Sequence, residues 1–94
     1  MQIDVFDTYV TTTDGKRLHF DVFLPTATID KQQKERAQQY AKEWLESIGV
    51  QPQDVRQESC SYCHSEAANP KVQQHIERHG HYIYQMEGCP SPAR

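Results

Sequence analysis

The 94-residue sequence predicts an α+β two-layer sandwich. The expected sheet is mixed and four-stranded, with both helices on one face and the element order β-β-α-β-α-β. Three patterns carry this reading. β-branched and aromatic residues alternate on both sides of Asp14-Gly15. Apolar residues recur with helical spacing from Ala37 to Ile48. A second helix signature, Asn69-Pro70 to Gly80, leads into another alternating run.

The first strand is read from Ile3 to Thr12 and the second from Arg17 to Leu24, joined at Asp14-Gly15, a hairpin turn signal. A two-residue loop sets Val5 against Leu24, Asp7 against Val22, Tyr9 against Phe20 and Thr11 against Leu18. That register collects one nearly apolar face around Asp7. The other face then carries Phe6, Val10 and Phe23, and places Thr8, His19 and Asp21 together. Pro25 ends the strand. Asp30 and Gln33 resemble a capping box. Ala37, Tyr40, Ala41, Trp44, Leu45 and Ile48 form one apolar stripe, and Gly49 with Pro52 stops the helix.

A polar third strand is expected near Asp54 to Ser61, an edge by its composition. Asn69 is a good N-cap and Pro70 suits the first helical position. The short helix runs to His79, and His81 to Glu87 form the last strand. Strands three and four flank a helix, so a right-handed parallel crossover between them is expected. Residues 1–89 read as one domain and 90–94 as a flexible tail.

Size and composition bound the function. The length allows one domain with one modest core. Apolar residues are 36% of the chain, and three Phe, five Tyr and one Trp supply much of the buried area. The formal net charge is −3 with both signs interspersed, so no basic stripe invites nucleic acid. No apolar run is long enough to span a membrane. The start, Met1-Gln2-Ile3-Asp4, lacks the features of a secretory signal, and three cysteines without one suggest a reduced, cytoplasmic protein.

The chemistry concentrates in Cys60-Ser61-Tyr62-Cys63-His64, with Cys89 further on. Two cysteines two residues apart can grip one metal when a turn aims both sulfurs at it. Under a parallel crossover Cys60, Cys63 and Cys89 reach the same sheet edge. His64 completes a Cys3His zinc site. Against this stand cysteines that merely pack, a thiol-redox protein, and covalent haem with Met86 as axial ligand. Haem attachment goes with export and finds no support. Weaker candidates are the His19 and Asp21 pair with Thr8 as an acid–base site, and the histidines His75, His79 and His81. No phosphate loop or serine nucleophile motif is present, and no catalytic residue is assigned. The competing functional reading is a metal-free interaction module, a homodimer or protein partner docking on the open sheet face bearing Phe6 and Phe23.

Several segments together carry a family resemblance. They are Val5-Phe6-Asp7-Thr8-Tyr9-Val10, His19-Phe20-Asp21-Val22-Phe23, Ala41-Lys42-Glu43-Trp44-Leu45 with Ser47-Ile48-Gly49, Cys60-x-x-Cys63-His64-Ser65, and Gly80 through Met86-Glu87-Gly88-Cys89. The chain resembles a family of small bacterial proteins known as domain of unknown function twenty twenty-four. The resemblance covers nearly the whole chain. It implies a compact α/β domain of bacterial origin, and no activity, substrate or site residue. The chain departs from it in length after Thr26 and in the tail past Cys89.

Overall fold

The computed structural model describes residues 1–26 and 31–90. The elements are β1 (Gln2–Thr12), β2 (Arg17–Pro25), α1 (Lys31–Ser47), a 3-10 turn (Pro52–Asp54), β3 (Val55–Ala67), α2 (Pro70–His79) and β4 (Tyr82–Gln85). The α+β class and the element order match expectation. The proposed cap Asp30 and the tail from residue 91 lie outside the described residues.

The sheet order is β3-β1-β2-β4, and every neighbouring pair is antiparallel. The mixed sheet with a parallel crossover is thereby corrected: β3 and β4 occupy opposite edges. Three interstrand steps of about 4.8 Å separate them, roughly 14 Å. The ten residues of α2 rise about 15 Å, so this helix carries the chain across the full width of the sheet. Asn69 caps it by accepting a 2.8 Å bond from the Val72 amide, and Gly80 ends it at φ +83°.

The hairpin loop holds three residues. The Thr12 amide donates to the Lys16 carbonyl (2.8 Å) and Gly15 adopts φ +88°, the glycine-bulge form of hairpin turn. The register therefore slips by one from the expected pairing. Phe6 faces Val22, Thr8 faces Phe20 and Val10 faces Leu18, while Asp7 faces Asp21 and Tyr9 faces His19. A slip of one exchanges every side chain between faces. Phe6 and Val10, expected on an open face, lie in the core.

That core forms where α1 covers one face. Ala37, Ala41 and Leu45 meet Phe6, Val10, Leu18, Phe20, Val22 and Leu24. Phe20 is fully buried against Trp44, with ring centroids 4.6 Å apart. The two small alanines let the helix approach the sheet closely. Helix α2 packs on the opposite face, its Val72 and Ile76 against Ile3, Val5 and Phe23. The helices thus lie on opposite faces, which corrects the expectation of one. Because α2 is short, it covers only the half of its face near Ile3 and Phe23.

Asp4 fastens the elements together. Its buried carboxylate accepts bonds from Thr26 Oγ1 (3.0 Å), Gln33 Nε2 (3.1 Å) and Ser65 Oγ (2.7 Å). Burial pushes this carboxyl up, and the bonds from Ser65, Gln33 and Thr26 together hold it below its ordinary value. Among the described residues, no helix is long and apolar enough to cross a membrane.

Candidate functional site

The half of the second face left open by α2 carries a polar cluster. It exists because residues at odd positions of β1 and β2 point there: Asp7 and Tyr9 from one strand, His19 and Asp21 from the other. Ser61 of β3 pairs with Asp7, and Tyr84 of β4 pairs with Asp21, extending the row across all four strands. His19 Nε2 lies 2.6 Å from Asp7 Oδ1. The imidazole stacks on Tyr9, with centroids 4.1 Å apart and planes 8° from parallel. This stacking and the carboxylate contact fix the ring in orientation and tautomer.

One ligand atom from each of Asp7, His19 and Asp21 lies within 4.8 Å of the others. The two carboxyls sit directly opposite on neighbouring strands, an arrangement that like charges resist. Burial, the hydrogen-bonded Asp7 carboxyl and its negative charge push the Asp21 carboxyl up to about 6. The positive fields of His19 and His64 pull the other way. The three groups are half-buried, so the cluster is open to solutes.

Sequence reasoning paired His19 and Asp21 but added Thr8, which the register turns inward: Thr8 is buried, its hydroxyl donating to the Phe6 carbonyl (3.3 Å). Asp7, expected among apolar partners, is the missing member. The signal that could have found it is the D-x-Y run of β1, Asp7 and Tyr9, set against the H-x-D run of β2, His19 and Asp21, which aligns only with a three-residue loop.

The cysteine cluster does not assemble. The segment expected to turn is continuous strand, and β3 extends through Ala67. Cys60 points into the core under α1, where Thr8 Oγ1 lies 3.5 Å from its sulfur. Cys63 is exposed. Cys89 is buried at the opposite edge, its thiol donating to the His19 carbonyl at 3.3 Å. With β1 and β2 between the two edges, Cys89 cannot join Cys60 and Cys63 around one ion. Burial raises the Cys60 and Cys89 thiols above the ordinary range. The apolar docking face also dissolves: Phe6 is buried under α1, and Phe23 is covered by α2, Tyr82 and Tyr84.

A β-bulge lies where the β1–β3 register shifts between Val5 and Phe6. It inserts Cys63 into the edge strand beside His64. His64 Nδ1 sits 3.2 Å from Cys63 Sγ, and His64 Nε2 sits 2.7 Å from Glu66 Oε1. The remaining histidines cluster where α2 meets β4. His75 lies 4.5 Å from His79 between ring centroids, and His81 stacks on Tyr40. Burial and the electrostatic influence of the adjacent His79, His81 and Arg78 hold the His75 imidazole below its ordinary value. A groove runs between α1 and β3. It is lined by Gln38, Lys42, Glu46, Arg56 and their neighbours, and holds no nucleophile beside a base.

Comparison with known proteins agrees with this architecture. The NMR structure of protein NE1680 from Nitrosomonas europaea is 42% identical. The match covers 95% of this chain and 99% of that one, with a TM-score of 0.75. No curated protein matches the chain. The family model described as Domain of unknown function (DUF2024) matches residues 1–86, and the chain belongs to that family.

Proposed function

We propose that the protein is a divalent-metal-binding module whose ligands are Asp7, His19 and Asp21. The observation that carries this reading is the convergence of two opposed carboxyls and an imidazole on one solvent-open sheet face. One nitrogen and two carboxylate ligands suit a first-row ion such as zinc. Burial first, and then the neighbouring Asp7, keep Asp21 protonated up to about 6, and a cation between the two carboxyls would neutralise their repulsion. It would also replace the proton shared along the His19–Asp7 contact. Ligands of tetrahedral zinc stand about 3.3 Å apart, so the 2.6 Å contact would open by well under 1 Å. The strand pairing would hold the ligands, and the exposed side would leave coordination positions for water or a partner's group.

The test is calorimetric titration of the full chain with zinc after chelator treatment, alongside the variants Asp21→Asn, Cys60→Ser and Cys63→Ser. The expected result is one equivalent bound, at least tenfold weaker in Asp21→Asn and unchanged in Cys60→Ser and Cys63→Ser. Affinity should fall as pH drops below about 6, where Asp21 takes up its proton. Unchanged affinity in Asp21→Asn, or no binding at millimolar zinc, would overturn the reading.

A further inference from the structure

We propose that Cys63 is a reactive thiol, activated by His64 and Glu66, and the site at which the protein takes up small disulfides. The inference is independent of metal binding. Its basis is a linear array on the exposed edge strand: Sγ of Cys63, 3.2 Å to Nδ1 of His64, then Nε2 of His64, 2.7 Å to Oε1 of Glu66. A carboxylate that accepts from Nε2–H fixes the tautomer in which Nδ1 carries the free lone pair. That lone pair faces the sulfur. Nucleophile, base and orienting acid thus stand in the order that activates a thiol.

The local structure explains how neighbours in sequence achieve this. In a regular strand Cys63 and His64 would point to opposite faces. The bulge between the partners of Val5 and Phe6 removes that alternation and brings the two side chains together. Glu66 then returns to the His64 face two residues on. All three side chains are exposed, so a solute reaches them without any opening of the fold.

The reaction balances without further reagents. Cys63 passes its proton to His64 Nδ1, and the thiolate attacks one sulfur of the disulfide. A Cys63–S bond forms, the solute's own S–S bond breaks, and the departing thiolate recovers the proton from the imidazolium. No second thiol is placed to reverse this. Cys60 is buried on the α1 side of the sheet and Cys89 is buried at the far edge. The product is a mixed disulfide that persists until an external thiol removes it. The carboxyls of Glu66, Asp7 and Asp21 on the same face favour neutral or cationic disulfides over anionic ones.

The experiment measures the rate at which the full chain reacts with neutral hydroxyethyl disulfide between pH 6 and 8, with adduct location by peptide mass spectrometry. Cys63 should carry a single adduct, with Cys60 and Cys89 unmodified while the fold is intact. At pH 7 the rate should drop about tenfold in His64→Gln, and less in Glu66→Gln. Both variants should rise more steeply with pH than the unmodified chain. The substituted residues are exposed, and silent Cys60 and Cys89 serve as the internal check on folding. Equal rates and pH profiles in the unmodified chain and both variants would overturn the proposal, as would first modification at either buried cysteine.

Discussion

Replacing Asp21 with Asn should make the protein more stable at neutral pH. Asp7 and Asp21 face each other across β1 and β2 on one face, and the Asp21 carboxyl is raised from 3.8 to about 6. A displacement of roughly two pH units corresponds to about 3 kcal/mol if fully expressed. The site is half-exposed and solvent screens it, so about 1 kcal/mol is the reasonable expectation. The sign follows from proton counting. The folded state holds this proton more tightly than the unfolded chain, so stability from the group is full below about 4. It declines as pH rises through about 6 and stays lost above that. Asn carries no charge at any pH. The variant should therefore match the parent near pH 4 and exceed it by about 1 kcal/mol at pH 7. Urea unfolding at pH 4, 5, 6 and 7, in low salt and with chelator, measures the difference, since titrating groups remote from Asp21 cancel between the two proteins. A difference that does not change with pH, or one of opposite sign, would refute the argument.

Two further perturbations probe the frame around the site. Asp4→Ala leaves the donors of Thr26, Gln33 and Ser65 facing a void and should cost about 2–4 kcal/mol at pH 7 by urea unfolding. The gap should narrow as pH falls from the ordinary carboxylate value through the lowered Asp4 value, where the parent loses the charged group's contribution. Gly88→Ala would set a Cβ 2.0 Å from the Arg17 carbonyl oxygen at φ +80°, so the segment carrying Cys89 must lift from β2. The number of thiols reactive in the native protein should then rise from one to two, and an inert Cys89 would contradict this.

The helices were legible because their signals are local. The stripe from Ala37 to Ile48 and the Asn69-Pro70 start with Gly80 stop need no knowledge of partners. The hairpin register was not, and the cause is physical. Strand β1 is apolar on both faces, Ile3 and Val5 on one and Phe6 and Val10 on the other, since each face meets a helix. Two registers then match apolar with apolar almost equally well, and the choice falls to the turn. Reading Asp14-Gly15 as a two-residue loop hid the meeting of Asp7 with Asp21. The cysteine motif misled for a related reason: its spacing suits a turn, but Ser61, Tyr62 and Ser65 find strand partners in β1. His19 and Asp21 were visible as a pair, while their third member depended on the register.

The place of β1 also bears on how the chain is made. It precedes both of its partners in the chain, yet it sits between β2 and β3. Its β2 side can zip at once through a three-residue loop. Its β3 side waits for residues up to Ala67, some fifty positions later. Until then a nascent chain exposes a row of unpaired amides and carbonyls from its own centre. Closing that long loop is the costly step in folding, so the order of protection in pulsed hydrogen exchange should be β1 with β2 first and β3 last.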